Sequence, residues 1–399
     1  MRSFNLEKKI LFLSTFPPKK CGIASFTRDL IDAVNVATSS NLIIETYALD
    51  DEKKSILYKY PVTGVLNPHN LDSFIQAATD INNDNEVKLV CIEHEFGLYG
   101  GELGEYLLGF LSMLEKPFVV RFHTVIANPS AKMLRVVRAI ALLASNVLVM
   151  TKHSAHVMKQ DYDVSEDKII IIPHGTHARS TADKHELKIK YNLVNKQVLT
   201  TFGLLSPNKG IEKGILAMKE ISEVLPDAVY VVIGQTHPNL LAHEGEKYRE
   251  YLQALIDDNS LQENVRLINE YVPTKKLMDY LVLTDIYLFT SKDPEQAVSG
   301  TFLYAMSAGC PIISNDFVLA KEMLDKDTGV ILTSTDESEL SVHAIRILQN
   351  PQLRKEMSNN ALLKTSNTSW DKVGEKHATL FGEILGDAFS KQQLIKIKI

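Results

Sequence analysis

The stretch TSKDPEQAVSGTFLYAMSAGCPIISN, residues 290–315, decides the fold of this chain. The apolar run Ile286 to Phe289 just before it predicts a buried strand. A polar loop and a turn of small residues follow, and Phe302 to Ala308 predicts a helix that ends at Gly309. Pro311 then opens another apolar run. This strand–loop–helix–strand order is typical of a parallel α/β sheet.

The start of the predicted helix has the residues expected of an anion site. Ser299 or Thr301 can cap the helix, and Gly300 allows a ligand to approach the backbone closely. The first amides of a helix have no partner within it and lie at its positive end, so they suit a phosphate. From these residues alone, an ordinary strand–turn–helix unit without a ligand is the more frequent arrangement.

Length and composition predict a soluble protein of two domains. The chain has 399 residues, of which 45% are hydrophobic and 23% charged, and this length is too great for one compact core. Its net charge of -6 predicts no nucleic-acid partner and no attraction to an anionic membrane. No apolar run has the length of a membrane span, and the short N-terminal run does not fit a signal peptide.

The three cysteines, Cys21, Cys91 and Cys310, lie in or beside apolar segments. Their odd number and placement favour reduced thiols over a disulfide framework, and hence a cytoplasmic protein. No cysteine or histidine cluster has metal-ligand spacing, so the sequence predicts no metal site.

The first 180 residues predict a doubly wound parallel sheet, because strands and helices alternate throughout. EHEFGLYGGE, residues 93–102, follows one of these strands and concentrates three Glu, one His and three Gly. His123 follows the next strand. Because α/β sheets bind ligands at the carboxyl ends of their strands, both positions predict a site. The predicted helix 131–143 has a basic face, which is more often a solvated surface. Any membrane association would be peripheral at most.

Composition turns polar at residues 178–185, and a second series of strands begins at Val198. We therefore predict an N-terminal domain at 1–180, a C-terminal domain at 181–369, and an amphipathic helix in 370–399. The loop from Gly203 to Gly210 joins a strand to a helix and presents Lys209 to an anion. Two such domains predict an interdomain ligand cleft.

In these motifs the chain resembles the retaining glycosyltransferases of family 4, which have the GT-B architecture. The resemblance covers nearly the whole chain, and its most specific feature is that five pieces follow the family's order. They are CGIASF (21–26), FHT (122–124), IIPHG (171–175), FGLLSPNKG (202–210) and AMSAGCPII (305–313).

The resemblance implies an acceptor on the N-terminal domain, a nucleotide sugar on the C-terminal domain, and a final helix that returns to the first domain. It implies no cofactor and a donor of the GDP-mannose or UDP-glucose type. His123 is expected near the transferred sugar, with Gln296 and Glu95 as the other catalytic candidates. The expected donor and phosphate ligands are Gly22, Gly203, Lys209, Ser299, Gly300, Thr301 and Tyr304; the expected sugar and acceptor ligands are Glu93, His94, Glu102 and His174.

The chain also departs from the family. Gln296 and Tyr304 stand where the family has two Glu spaced E-x7-E, one at the sugar and one at the ribose. Leu204 replaces an arginine that contacts the diphosphate, and His174 replaces a frequent Asn. EHEFGLYGGE resembles a branch of the family that carries QAVSGT instead of the two Glu. The stabilising negative charge is then expected either from the leaving diphosphate itself or from another acid, with Glu295 and the 93–102 loop as candidates.

The leading interpretation is a cytoplasmic retaining hexosyltransferase that moves mannose or glucose to a carbohydrate acceptor. Loss of the ribose Glu and of the arginine would also fit a sugar 1-phosphate donor, as in a phosphorylase-like enzyme. A non-catalytic GT-B protein that binds a glycan or an active transferase is the third interpretation.

Overall fold

The structure is a computed structural model that describes residues 8–39, 42–51, 56–334 and 336–386. The chain divides into two compact units. The first runs to Gly175 and resumes at Trp370, and the second is Thr176–Ser369. The boundary predicted from composition lies five residues further along the chain than this division.

The first unit is built on a seven-stranded parallel sheet of order β3-β2-β1-β4-β5-β6-β7. Its strands are β1 (Lys9–Ser14), β2 (Ile43–Leu49), β3 (Val62–Leu66), β4 (Val87–His94), β5 (Phe118–Phe122), β6 (Asn146–Val149) and β7 (Ile169–Ile171). Its helices include α1 (Gly22–Ala37), α2 (Leu71–Asn83), α3 (Leu107–Met113), α4 (Ala131–Leu143) and α5 (Lys152–Gln160).

The second unit has a six-stranded parallel sheet of order β10-β9-β8-β11-β12-β13. Its strands are β8 (Gln197–Phe202), β9 (Ala228–Ile233), β10 (Val265–Ile268), β11 (Ile286–Phe289), β12 (Ile312–Ser314) and β13 (Gly329–Ile331). Its helices are α6 (Lys184–Lys190), α7 (Ile211–Val224), α8 (Pro238–Glu244), α9 (Lys247–Asp258), α10 (Thr274–Leu283), α11 (Gly300–Ser307), α12 (Val318–Met323), α13 (Glu337–Leu348) and α14 (Pro351–Lys364).

Both sheets reverse their strand order at one place, between β1 and β4 in the first unit and between β8 and β11 in the second. Chain segments leaving the carboxyl ends of two such strands go to opposite faces of the sheet, and the crevice between them is where open α/β sheets bind ligands. In the second unit those segments are the loop 203–210 and the stretch 290–299. In the first they begin at Thr15 and Glu95.

The last described helix, α15 (Trp370–Leu385), packs against α1 in the first unit. The two helices approach closely at Gly374, where a Cβ atom would lie 2.4 Å from the backbone oxygen of Ala33. The part of the predicted C-terminal segment beyond residue 386 lies outside the described residues.

The sequence pattern missed or simplified some elements. The edge strand β3 was not predicted, because Gly64 interrupts its alternation; a Cβ there would lie 2.7 Å from the ring of Tyr47. The predicted polar linker 178–185 overlaps the start of α6. The helix that the sequence pattern predicts at 244–256 corresponds to α9, but α8, which Gly245 at φ +67° separates from it, was not predicted.

The close approach at Gly374 gives a stability prediction. Gly374→Ala will lower the free energy of unfolding by about 1–3 kcal/mol, because the new methyl meets backbone that has no room to yield. In an unobstructed helix the same change would stabilise by about 1 kcal/mol. Urea denaturation measures the effect, and Gly97→Ala is the control because a Cβ there meets nothing within 4 Å. Equal stability of the two variants would contradict the packing described.

Candidate functional site

The loop 203–210 at the end of β8 is tied to the stretch that follows β11. The Thr290 hydroxyl donates to the carbonyl of Lys209 at 2.9 Å, and the amide of Lys292 donates to that of Asn208 at 2.8 Å. Gly203 has φ +133°, and a Cβ there would lie 3.3 Å from Cγ2 of Thr301. The structure therefore brings Gly203, Lys209 and the start of α11 to one edge of the second sheet.

The start of α11 leaves two backbone amides free for a ligand. Ser299 is the N-cap, and its Oγ accepts from the amide of Phe302 at 3.4 Å. The amide of Leu303 begins the regular helical bonding to the carbonyl of Ser299. Within the described residues no acceptor faces the amides of Gly300 and Thr301, and both residues are half-buried. These amides lie at the positive end of the helix dipole.

Lys209 is a half-buried cation that no acidic side chain of the described chain neutralises. Burial lowers the pKa of its ammonium group and is the only influence on that pKa. The charge of Lys209 also acts on His237, at the N-cap of α8. The pKa of the His237 ring is lowered mainly by burial and secondly by Lys209. An unneutralised cation on a loop at the same edge of the sheet as the start of α11 is suited to an anion.

The side chain of Gln296, in the QAVSGT stretch, is hydrogen-bonded within its own loop. Nε2 of Gln296 donates to the carbonyl of Val298 at 3.0 Å, and Oε1 accepts from the Ser291 hydroxyl at 3.4 Å. Glu295 is exposed, and its amide donates to the Asp293 carboxylate at 3.1 Å. In this conformation the amide of Gln296 stabilises its own loop, and its catalytic role stays a prediction.

Tyr304 lies one turn into α11, in an aromatic group of the second unit. Its ring stacks with Phe202 at the end of β8, with centroids 6.4 Å apart. The ring of His177 contacts it edge-on at 5.0 Å. Tyr304 thus lies close to the carboxyl end of β8, and its expected contact with the donor is untested.

In the first unit, strand register assembles a charged group from β4 and β5. Glu93 is directly opposite Arg121, and His123 lies two residues further on, hence on the same face. Oε2 of Glu93 is 3.3 Å from Nε of Arg121 and 2.7 Å from Nε2 of His123. Glu93 and Arg121 are buried, whereas the His123 side chain is 11% exposed. His123 is therefore the member of this group that reaches the surface.

Arg121 also connects this group to α15. Its Nη2 contacts Nε2 of His377, whose Nδ1 donates to the carbonyl of Val373 at 2.7 Å. Because Nδ1 carries the proton, Nε2 of His377 is the acceptor for the guanidinium. Burial, and secondly Arg121, hold the pKa of His377 well below its usual range. The Phe26 ring lies 5.2 Å from the guanidinium carbon.

His94 lies on the opposite face of β4 and is fully buried. Its ring lies between Phe96, Tyr99 and Phe122, at centroid distances of 5.2, 5.8 and 4.7 Å. Neither ring nitrogen has a hydrogen-bond partner among the described residues. Burial, and secondly His123, lower its pKa to about 3. His94 is a neutral member of the core here, and its expected contact with sugar is not tested.

The other candidates of the first unit have different surroundings. His174 contacts the carbonyl of Gly175 at 2.7 Å through Nδ1, and burial, the largest influence, lowers its pKa to about 4. Glu95 accepts from the Thr124 hydroxyl at 2.6 Å and from the amide of Phe96. Glu102 is exposed and pairs with Lys132 of α4 at 2.6 Å. Gly22 is exposed at the first position of α1, where a Cβ would meet nothing within 4 Å.

Sequence reasoning missed Arg121 and His377. A signal for Arg121 was available, because one arginine interrupts the apolar strand FVVRF and a charge there requires a partner. The pairing with His377 had no signal, because 256 residues separate the two positions in the chain.

In the part of the chain that the structure describes, no group of three or more His, Cys, Asp and Glu side chains is arranged to hold a metal ion. No helix of that part combines the length and apolar character needed to span a membrane.

Three histidines with a lowered pKa predict acid sensitivity. The pKa of His94, His174 and His377 is lowered in the folded chain, so below about pH 6.5 the unfolded chain binds protons that the folded chain does not. Each then lowers the free energy of unfolding by up to about 1.4 kcal/mol per pH unit, until its folded-state pKa is reached. Stability present at pH 7.5 will therefore fall as the pH is lowered.

The variant His94→Phe tests the lowered pKa of His94, because Phe suits the surrounding aromatic rings. Its stability relative to the unsubstituted chain should rise as urea denaturation is repeated from pH 7 to pH 5. His156→Asn, at an exposed position, is the control and should leave the pH dependence unchanged. A pH-independent difference for His94→Phe would show that His94 is not held neutral.

Comparison with known proteins finds similarity to glycosyltransferases. Residues 183–364 match the family model described as "Glycosyl transferases group 1". The chain is 22% identical over 294 residues to "Alpha-D-kanosaminyltransferase" of Streptomyces kanamyceticus, covering 68% of this chain and 72% of that protein. It is 22% identical over 172 residues to "GDP-mannose-dependent alpha-(1-6)-phosphatidylinositol monomannoside mannosyltransferase" of Mycolicibacterium smegmatis, covering 42% of each.

Among solved structures, the fold resembles that of Anabaena Alr3699/HepE in complex with UDP and glucose. The TM-score is 0.72 at 18% identity, and the match covers 94% of this chain and 100% of that one. The predicted fold class, two parallel-sheet α/β domains of the GT-B type, is confirmed. Together these findings support a Glycosyl transferases group 1 domain at residues 183–364.

Proposed function

We propose that this chain is a retaining glycosyltransferase that moves a hexose from a nucleotide-diphosphate sugar to a carbohydrate acceptor. The observation that carries the proposal is the anion site at the edge of the second sheet. There, Lys209 has no acidic partner within the described chain and lies on the loop tied to the start of α11. This site falls within the segment that matches the group 1 family.

On the donor side, the departing diphosphate would be bound by Lys209 and by the amides of Gly300 and Thr301. Fixed donors directed at a leaving group stabilise the charge that develops on it, and they require no metal. Tyr304, beside Phe202, would contact the ribose or base, and Gly203 lets the donor approach the backbone. Relatives named for UDP, GDP-mannose and glucosyl transfer support a nucleotide sugar as donor.

On the acceptor side, His123 would hydrogen-bond a sugar hydroxyl, with Glu95, Glu102 and His174 as further candidate contacts. A retaining transfer passes through an oxocarbenium-like state, which a nearby negative charge stabilises. Gln296 is neutral and would only orient the sugar. The stabilising charge would therefore come mainly from the leaving diphosphate. Mannose is our preferred sugar, and glucose is the alternative.

A sugar 1-phosphate donor is the second candidate, favoured by one observation. Leu204 and Tyr304 stand where the family has a diphosphate arginine and a ribose Glu. Calorimetric titration with GDP, UDP, mannose 1-phosphate and glucose 1-phosphate separates the two proposals. Binding of a nucleoside diphosphate supports the first, and binding of a sugar phosphate alone supports the second. A protein that binds neither but binds glycan would be a non-catalytic member.

The first prediction for this function concerns Lys209. Lys209→Ala will weaken binding of the preferred nucleoside diphosphate by about 1–3 kcal/mol, the usual size of a lost charge-assisted hydrogen bond. Isothermal titration calorimetry measures the change. Lys219→Ala, on the exposed face of α7, removes the same charge from a distant position and should bind like the unsubstituted chain. Unchanged affinity in Lys209→Ala would mean that this lysine is not a phosphate ligand.

The second prediction concerns His123. His123→Ala will lower turnover by roughly 100-fold, within the range for a lost group that acts in the transition state. Its melting temperature should change little, because the ring is partly exposed and its loss keeps the Glu93–Arg121 pair. Initial rates and differential scanning calorimetry on the same preparation measure the two effects. If stability and turnover fall together, the role of His123 is structural.

A further inference from the structure

We propose that Glu93 is a positioning residue for His123 and fixes the imidazole with Nδ1 as a hydrogen-bond acceptor. The inference deepens the proposed function and rests on it for the identity of the ligand, a sugar hydroxyl. It replaces the expected direct contact between Glu93 and the sugar with an indirect role. The observation behind it is the line of contacts from His123 through Glu93 and Arg121 to α15.

The contact between His123 and Glu93 determines the tautomer of the neutral ring. Nε2 of His123 lies 2.7 Å from Oε2 of Glu93, and a carboxylate can only accept a hydrogen bond. The proton of the neutral imidazole is therefore on Nε2. Nδ1 then carries a lone pair, and within the described chain no donor contacts it. A ligand hydroxyl at this position would donate its hydrogen to Nδ1 without any proton transfer.

The contacts behind Glu93 hold the carboxylate in place. Glu93 is 2% exposed, and its carboxylate pairs with the guanidinium of Arg121. A change of the Glu93 rotamer towards solvent would break this ion pair. Arg121 is fixed in turn by the ring nitrogen of His377, by the carbonyl of Ile172 at 3.4 Å, and by the Phe26 ring. A group held on several sides keeps one geometry, and such preorganisation is what an oriented histidine requires.

The same contacts give α15 a role in the site. His377 is the residue of α15 that contacts Arg121, and its own Nδ1 is bound to the carbonyl of Val373 within that helix. The ring of His377 therefore accepts from Arg121 only while α15 is folded onto the sheet. In this way a helix at the far end of the sequence supports the orientation of His123.

The test is the tautomer of His123, read from ¹⁵N chemical shifts of histidine-labelled protein at pH 8 without any ligand. The resonance is assigned by its absence from the His123→Asn spectrum. We expect the signature of an imidazole protonated at Nε2 with an unprotonated Nδ1. A ring protonated at Nδ1 would overturn the proposal, and because this measurement needs no change at Glu93, it does not depend on how a variant folds.

The variant Glu93→Gln tests the cause. The amide of Gln can donate as well as accept, so it no longer restricts the His123 ring to one tautomer. The form protonated at Nδ1 should therefore become populated. Turnover should fall by about 10- to 100-fold, the usual effect of losing a partner that orients a metal-binding histidine. The control is Glu45→Gln, which removes a carboxylate paired with Lys9 at 3.2 Å in the same sheet. An unchanged His123 signature in Glu93→Gln would overturn the proposal.

Failure of this inference is distinguishable from failure of the proposed function. If no nucleotide sugar supports transfer while the expected tautomer and its response to Glu93→Gln are observed, the transferase proposal is wrong and the positioning stands. If transfer is observed but the His123 ring is protonated at Nδ1, the positioning is wrong and the transferase proposal stands.

Discussion

Parallel pairing of strands is the constraint on which both units depend. Each strand of a parallel sheet must return by a crossover, so all strands end at the same edge and all strand-to-helix segments begin there. Residues far apart in sequence, such as Gly203 and Thr301, therefore meet without any direct attraction between them. The reversals of strand order, at β1/β4 and β8/β11, then open the edge where ligands bind.

Alternation along the strands divides the residues of one short segment between two environments. In β4, Glu93 faces the charged group with Arg121, while His94 faces the aromatic core with Phe122. Burying an ionised group is costly unless it is paired, so the buried carboxylate of Glu93 requires the guanidinium of Arg121 on the neighbouring strand. The aromatic surroundings of His94 offer no such partner, so its ring must be neutral. Two adjacent titratable residues thus differ in charge because the strand turns them to opposite faces.

The two units present different electrostatics to a ligand. At the edge of the second sheet, an unneutralised lysine and free helix amides favour negative charge. At the edge of the first, His123 is backed by a carboxylate that is itself compensated by Arg121. In the proposed function, the edge of the second sheet would bind the diphosphate and the edge of the first a neutral carbohydrate. The backbone amides of Gly300 and Thr301, within QAVSGT, would then contact the diphosphate.

Sequence patterns alone predicted the fold class, because buried parallel strands are short apolar runs; the predicted run Ile286 to Phe289 is β11 residue for residue. They also indicated Ser299 or Thr301 as the cap of α11, of which the structure shows Ser299, and Lys209 as a candidate anion ligand, since both signals are local. Only the tertiary structure decided that Glu93 lies behind His123 and that α15 supports Arg121. Those contacts depend on strand register and on pairs of residues that are far apart in the sequence. Neither can be predicted from composition or periodicity.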